Sequence, residues 1–163
     1  MKKLGKLVFV RHGESIWNKT DPERGLTTRF TGWADIPLTD LGKLQAFAAG
    51  RCLLKLNFPF NAVYTSLLTR ARETFDKIAS QYYADGIKDI QVVASWRLNE
   101  RHYGSLIGLS KVEAEEKLGR EKVLGWRRSW DLRPPPMTKH PYYINYDLVN
   151  STAKKESNDC FDW

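Results

Sequence analysis

Apolar and polar positions along this chain follow two different periods, and the switches between them mark out short elements. Leu7-Val8-Phe9-Val10 is an unbroken apolar run that stops at Arg11-His12-Gly13-Glu14. Such a run, rich in β-branched and aromatic types and closed by a Gly-containing turn, predicts a buried strand. Strands of this kind usually lie in parallel sheets covered by helices, with ligands at their carboxyl ends. Arg11 and His12 stand at that end. A solvated polar turn is the competing reading, and the strand alone does not separate the two. Residues 13–37 carry Asp21-Pro22, Gly25, Gly32 and Pro37 without sustained periodicity, which predicts a long loop.

Helical spacing follows. Thr39 reads as an N-cap for a helix over 40–56, with Leu41, Leu44, Ala48, Cys52 and Leu56 on its apolar face. Residues 62–65 predict a second strand. Ser66 reads as the cap of a helix running to about Tyr83, with Leu68, Ala71, Phe75, Ile78 and Tyr82 facing inward. Arg70 and Arg72 lie near the start of that helix. Cations there oppose the helix dipole and fit an anion bound beside them, although two solvated arginines fit as well. Residues 90–94 predict a third strand, leading into the titratable run 96–104. Ser110-Lys111-Val112-Glu113 is a capping box for a helix ending at Gly119. A further helix over 120–130 stops before Pro134-Pro135-Pro136, and 134–163 has little periodicity. Strand–helix repeats of this kind predict an α/β fold in a single domain over 1–163.

Composition narrows the chemistry. The chain has 163 residues, 42% of them hydrophobic, and a formal net charge of +7. That suits a globular domain with acidic partners. No block of five or more basic residues occurs, so small anionic ligands are expected, not nucleic acid or a membrane surface. Cys52 and Cys160 are far apart and read as thiols of a reducing compartment, and the chain is expected in the cytoplasm. There is no phosphate-binding P-loop, no dinucleotide glycine fingerprint and no metal-ligand spacing. Phosphoryl transfer depends on positioning and electrostatics, for which Arg is well suited. A neutral imidazole can accept a phosphoryl group, and a carboxyl can move a proton to and from a substrate hydroxyl. His12, Arg11, Arg70, Arg127, Arg128 and Glu100 are the candidate constellation.

Five stretches carry a resemblance: RHGESIWN (11–18), RFTGWADIPLTDLG (29–42), YTSLLTRARET (64–74), WRLNERHYGSLIGLSKVEAEEKLG (96–119) and WRRSWDLRPPP (126–136). Together they resemble the cofactor-dependent phosphoglycerate mutases of the histidine phosphatase superfamily. The resemblance implies a three-layer α/β/α fold, truncated at the carboxyl end, and interconversion of 3- and 2-phosphoglycerate. His12 would be the nucleophile that carries the phosphoryl group. Arg11, Asn18 and Arg70 would bind that group, and Thr31 and Gly32 would contact substrate. Glu100 would be the proton donor and acceptor, with Arg101, His102 and Tyr103 beside it in the substrate-binding set. Lys111, Arg127 and Arg128 would hold the far end of the substrate. The priming cofactor would be 2,3-bisphosphoglycerate, without a metal, and family members are commonly dimers or tetramers. Read without the resemblance, Trp33, Trp96 and Trp126 are packing residues, and His102 and His140 are surface or hydrogen-bonding histidines.

Two departures from the family stand out. Residues 19–28 form a longer connection than usual. Nothing after Pro136 resembles the family's carboxyl half, in which a strand ends in a second catalytic histidine. In the family fold that strand lies between those represented by 7–10 and 62–65. Its absence would expose two strand edges and weaken catalysis. A phosphatase of the same superfamily and a binding fragment without catalysis are the alternatives to the mutase.

Overall fold

The computed structural model describes residues 5–87 and 90–137. His140, Cys160 and the 138–163 part of the tail lie outside them. Four helices, α1 (Asp40–Lys55), α2 (Thr69–Ala84), α3 (Lys111–Leu118) and α4 (Arg120–Arg128), accompany two strands, β1 (Ala62–Thr65) and β2 (Gln91–Ala94). The strands are parallel, with Ala62 opposite Gln91 and Thr65 opposite Ala94, and α2 joins them. This is α/β architecture, as the alternating pattern predicts. The Ser95 N–H donates to the Thr65 carbonyl and continues the ladder toward the strands' carboxyl ends.

Capping chemistry sets the helix boundaries. The Thr39 hydroxyl accepts from the Gly42 N–H at 3.0 Å and starts α1. Ser110 and Glu113 form the reciprocal capping box of α3. The start of α2 corrects the sequence reading. Ser66 is not its cap, and the residue before the helix, Leu68, has no side-chain oxygen to offer. The Asp35 carboxylate, from the loop before α1, accepts from the Thr69 N–H at 2.6 Å and the Thr69 hydroxyl at 2.7 Å. A long-range carboxylate therefore does what a local hydroxyl was expected to do.

The buried face of α1 also differs from the expected one. Leu41, Leu44 and Leu56 are exposed, whereas Gly42, Ala46 and Gly50 are buried. These small residues repeat every fourth position; Gly50 lets α1 lie close against α2, and Gly42 lets it lie close against the turn that carries His12. A β-carbon on Gly50 would come within 2.9 Å of the Ile78 α-carbon. Close helix approach, not bulk, selects this face. A second core joins Phe30 and Leu106 to Ala114 of α3 and Val123 of α4.

The expected first strand does not form. Leu7–Val10 has no ladder partner among the described residues, and Leu7 and Phe9 are 77% and 89% exposed. An apolar run becomes a strand only when a neighbouring backbone pairs with it. β1 pairs with β2 on one edge, and its other side faces a cleft of about 630 Å³ that Leu7–Val10 flanks. This band of apolar surface has a direct consequence. The dye ANS is expected to fluoresce strongly with the folded protein at neutral pH, and Leu7→Lys with Phe9→Lys should remove most of that signal.

The 13–37 loop is stitched rather than loose. Ser15 bridges to Leu38, and Arg29 bridges to Ser110. The longer connection at 19–28 closes on itself. Asp21 and Leu26 exchange both backbone hydrogen bonds around the turn Pro22–Arg24, and Gly25 takes the left-handed φ of 65° that this turn requires.

Candidate active site

His12 follows the apolar run and is fixed by its own turn. Its Nδ1 lies 2.7 Å from the Gly13 carbonyl. A carbonyl only accepts, so Nδ1 carries the proton and Nε2 carries the lone pair. The turn is wedged between two helices. The Gly13 N–H donates to the Thr74 hydroxyl of α2 at 3.1 Å, and the Glu14 N–H donates to Gln45 Oε1 of α1 at 2.8 Å. Burial lowers the pKa of His12, and the positive charges of Arg70 and Arg11 lower it further. The Gly13 bond and Glu100 oppose them. The imidazole is therefore neutral at pH 7, the form able to attack phosphorus.

Arg70, in the first turn of α2, is buried. One guanidinium nitrogen donates to the Gly32 carbonyl at 2.8 Å and the other to the Ala34 carbonyl at 3.0 Å. The Glu100 carboxylate lies 4.0 Å away. Burial lowers the pKa of Arg70, while Glu100 and Asp35 raise it. Arg11, His12, Ser66, Arg70 and Glu100 line one end of the cleft. Ser66 directly follows the carboxyl end of β1, the side on which a parallel sheet is expected to place its site.

A second group of cations stands near the first. The pKa of Lys111 is lowered by burial and then by Arg127 and Arg11, with Arg128 adding to them and Glu100 opposing. Burial raises the pKa of Tyr103, and Glu100 raises it further. Arg127, Arg11 and Arg128 thus bear on Lys111 with Glu100 opposing them, an excess of positive charge that favours a bound polyanion. Several contacts hold the group in place. Arg101 donates to the Trp126 carbonyl at 2.9 Å, tying the Glu100 loop to α4, and Arg127 pairs with Glu115 at 3.6 Å. The last-turn position of Arg127 and Arg128 also complements the α4 dipole. Tyr103 packs edge-on against Phe30 at 5.0 Å.

The remaining expected residues are placed less directly. The Thr31 hydroxyl is buried with no hydrogen-bond partner among the described residues. Gly32 has a φ of 49° and sits against Ile107, so a side chain there would be strained. Asn18 lies in the turn after His12, its N–H donating to the Ser15 carbonyl. Thr31, Asn18, Lys111, Arg127 and Arg128 do not line the cleft. His102 Nδ1 accepts from the Gly104 N–H at 2.9 Å, which braces the Glu100–Gly104 turn. Asp35, Thr74 and Trp33 went unmarked by the sequence reading as parts of the site, because each acts through a partner more than thirty residues away.

Burial lowers the pKa of His102 from 6.5 to about 4. The unfolded chain therefore takes up this proton first as pH falls. His102 adds nothing to the pH dependence above about pH 6.5, and stability is lost between there and pH 4. The loss is on the order of 3 kcal/mol. Urea midpoints measured from pH 7 to pH 4 should fall, and His102→Gln should flatten most of that slope. His12 leaves a smaller remainder of the same sign.

Comparison with known proteins places the sequence in a family. The sequence pattern of the histidine phosphatase superfamily (branch 1) matches residues 7–143. The 2,3-bisphosphoglycerate-dependent phosphoglycerate mutase of Parabacteroides distasonis is 47% identical over 136 residues, 83% of this chain and 51% of the relative. That of Streptococcus mutans is 47% identical over 143 residues, 87% of this chain and 58% of the relative. The chain thus spans about half the length of these curated relatives. Among solved structures, a mycobacterial hydrolase superposes with a TM-score of 0.59 at 29% identity, covering 76% of this chain and 50% of that one. Bacillus stearothermophilus YhfR superposes with a TM-score of 0.57 at 26% identity, covering 91% and 67%.

Proposed function

This chain belongs to the histidine phosphatase superfamily, and from that membership we propose that its chemistry is that of a phosphoglycerate mutase acting through phospho-His12. One observation carries the reading. A neutral imidazole with its lone pair on Nε2 stands with Arg11, Arg70 and Glu100 at one end of a cleft, and a second set of cations, Lys111, Arg127 and Arg128, lies within electrostatic reach. A simple phosphatase needs only the first set. A mutase must grip both ends of its substrate, because either phosphate has to be returned to His12.

The donor set fits 2,3-bisphosphoglycerate. Its two phosphates and carboxylate match two groups of cations, and the unpartnered Thr31 hydroxyl offers one more donor. When bound, that cofactor supplies the phosphoryl group that primes His12. Toward that group His12 Nε2 would be the nucleophile, its bond to phosphorus forming as the ester P–O bond breaks. Glu100 would give a proton to the departing alkoxide and take it back in the return transfer from His12. Arg11 and Arg70 balance the charge on the transferring group. The cytoplasm, where the exposed Cys52 stays a thiol, is its place in this reading.

Incubation with 2,3-bisphosphoglycerate followed by intact mass analysis tests the proposal, together with a coupled assay from 3-phosphoglycerate. Acid-labile phosphate on His12 with turnover to 2-phosphoglycerate supports the mutase. Labelling followed only by phosphate release supports the phosphatase, and a chain that never labels overturns both.

A further inference from the structure

The carboxylate assigned to proton transfer, Glu100, sits on a loop and its side chain is about one-third exposed. A long side chain in such a place is positioned by its backbone, so whatever fixes the Glu100 backbone fixes the proton donor. The Glu100 carbonyl accepts from the indole Nε1–H of Trp33 at 2.6 Å. Trp33 is buried, and His102 packs edge-on against it at 5.8 Å. The residues on either side of Trp33 are those whose carbonyls Arg70 holds, Gly32 and Ala34. Next in the chain is Asp35, which caps α2 beside Arg70.

We propose that Trp33 is a positioning residue for Glu100: its indole N–H sets the proton donor at a fixed reach from the phosphoryl-binding Arg70. The loop 32–35 then works as a bracket. Arg70 grips its two carbonyls, Asp35 anchors it to the start of α2, and the indole extends from it to the backbone of the acid. The sequence marks Trp33 only as a packing residue. The N–H contact gives it a second role that a phenyl ring of similar bulk cannot fill.

The inference rests on the mutase reading, so the experiment separates the two. His12 labelling rates are measured in the full chain with two donors, 2,3-bisphosphoglycerate and acetyl phosphate. The first expels an alkoxide that needs the Glu100 proton, and the second expels a carboxylate that does not. Trp33→Phe is expected to slow labelling by 2,3-bisphosphoglycerate about tenfold, less than the roughly 10²- to 10⁴-fold that general acid catalysis supplies in full. It should leave labelling by acetyl phosphate unchanged. The ratio of the two rates does not depend on the fraction of the variant that is folded. In a Glu100→Gln background, Trp33→Phe should add nothing further. Equal slowing with both donors, no slowing, or an undiminished effect beside Glu100→Gln overturns the proposal. A parent chain that labels with neither donor overturns the mutase reading instead. The carbon-13 signal of the Glu100 carboxyl then decides the positioning role: it should move in Trp33→Phe, and a signal that stays in place overturns the role.

Discussion

Arg70→Lys is expected to slow phosphorylation of His12 by 2,3-bisphosphoglycerate about 10²- to 10³-fold and to lower the unfolding free energy by about 2 kcal/mol. The substitution keeps the positive charge and removes only the planar fork. Arg70 spends two of its donors on the carbonyls of Gly32 and Ala34 and keeps the rest of its guanidinium for the cleft. A lysine ammonium is compact and cannot span both carbonyls while also facing His12. At least one carbonyl would be left buried without its charged donor, and a hydrogen bond to a charged group is worth about 1.5–3 kcal/mol. The rate loss has a separate origin. Without the fork, the 32–35 loop and the transferring phosphoryl compete for one cation. Urea melts read the first effect and timed mass analysis of His12 reads the second. A variant as stable as the parent would show that the two carbonyl bonds carry no net weight. Unchanged labelling would show that charge alone serves the phosphoryl group.

Local signals in the sequence were legible because local chemistry decides them. Thr39 and the Ser110–Glu113 box set helix starts through hydroxyls within four residues of their targets, and the structure places both helices there. The parallel strands at 62–65 and 91–94 were readable from short β-branched runs. His12, Arg11, Arg70 and Glu100 were singled out by residue type and by resemblance, and the structure brings them to one end of one cleft. Failures occurred where a distant partner decides. Leu7–Val10 has the composition of a strand but no neighbour to pair with among the described residues, so composition misled. Leu41 and Leu44 have helical spacing, yet α1 turns its small residues inward because α2 and the His12 turn come so near. Ser66 is a good cap by type, but Asp35 reaches α2 first from more than thirty residues away. Trp33 belongs with these. Nothing in its neighbours announces a bond to the carbonyl of a residue sixty-seven positions later.

Gly42→Ala is expected to destabilise the protein by about 3 kcal/mol, at the upper end of the overpacking range. Taken alone, α1 would favour the change, since Ala in a helix interior is better than Gly by about 0.5–1 kcal/mol. Tertiary contact reverses the sign. A β-carbon at Gly42 would overlap the Glu14 carbonyl oxygen and come within 2.8 Å of the Glu14 nitrogen. Both obstacles are backbone, so no side chain can swing away. Gly13 faces Gly42 with the same closeness, its own absent β-carbon pointing at the Gly42 carbonyl. The two glycines thus let the turn that carries His12 lie directly on α1, between the Thr74 and Gln45 contacts. Pushing that turn outward strains the Gly13–Thr74 bond and shifts the imidazole relative to Arg70. Labelling of His12 should therefore fall along with stability, even in the fraction that remains folded. Gly125→Ala in α4 is the matched comparison. Its β-carbon would meet only the flexible tip of Leu132, at 2.9 Å, so helix propensity should prevail and the urea midpoint should hold or rise. If Gly42→Ala matched Gly125→Ala in stability and in labelling, the His12 turn would not depend on its contact with α1.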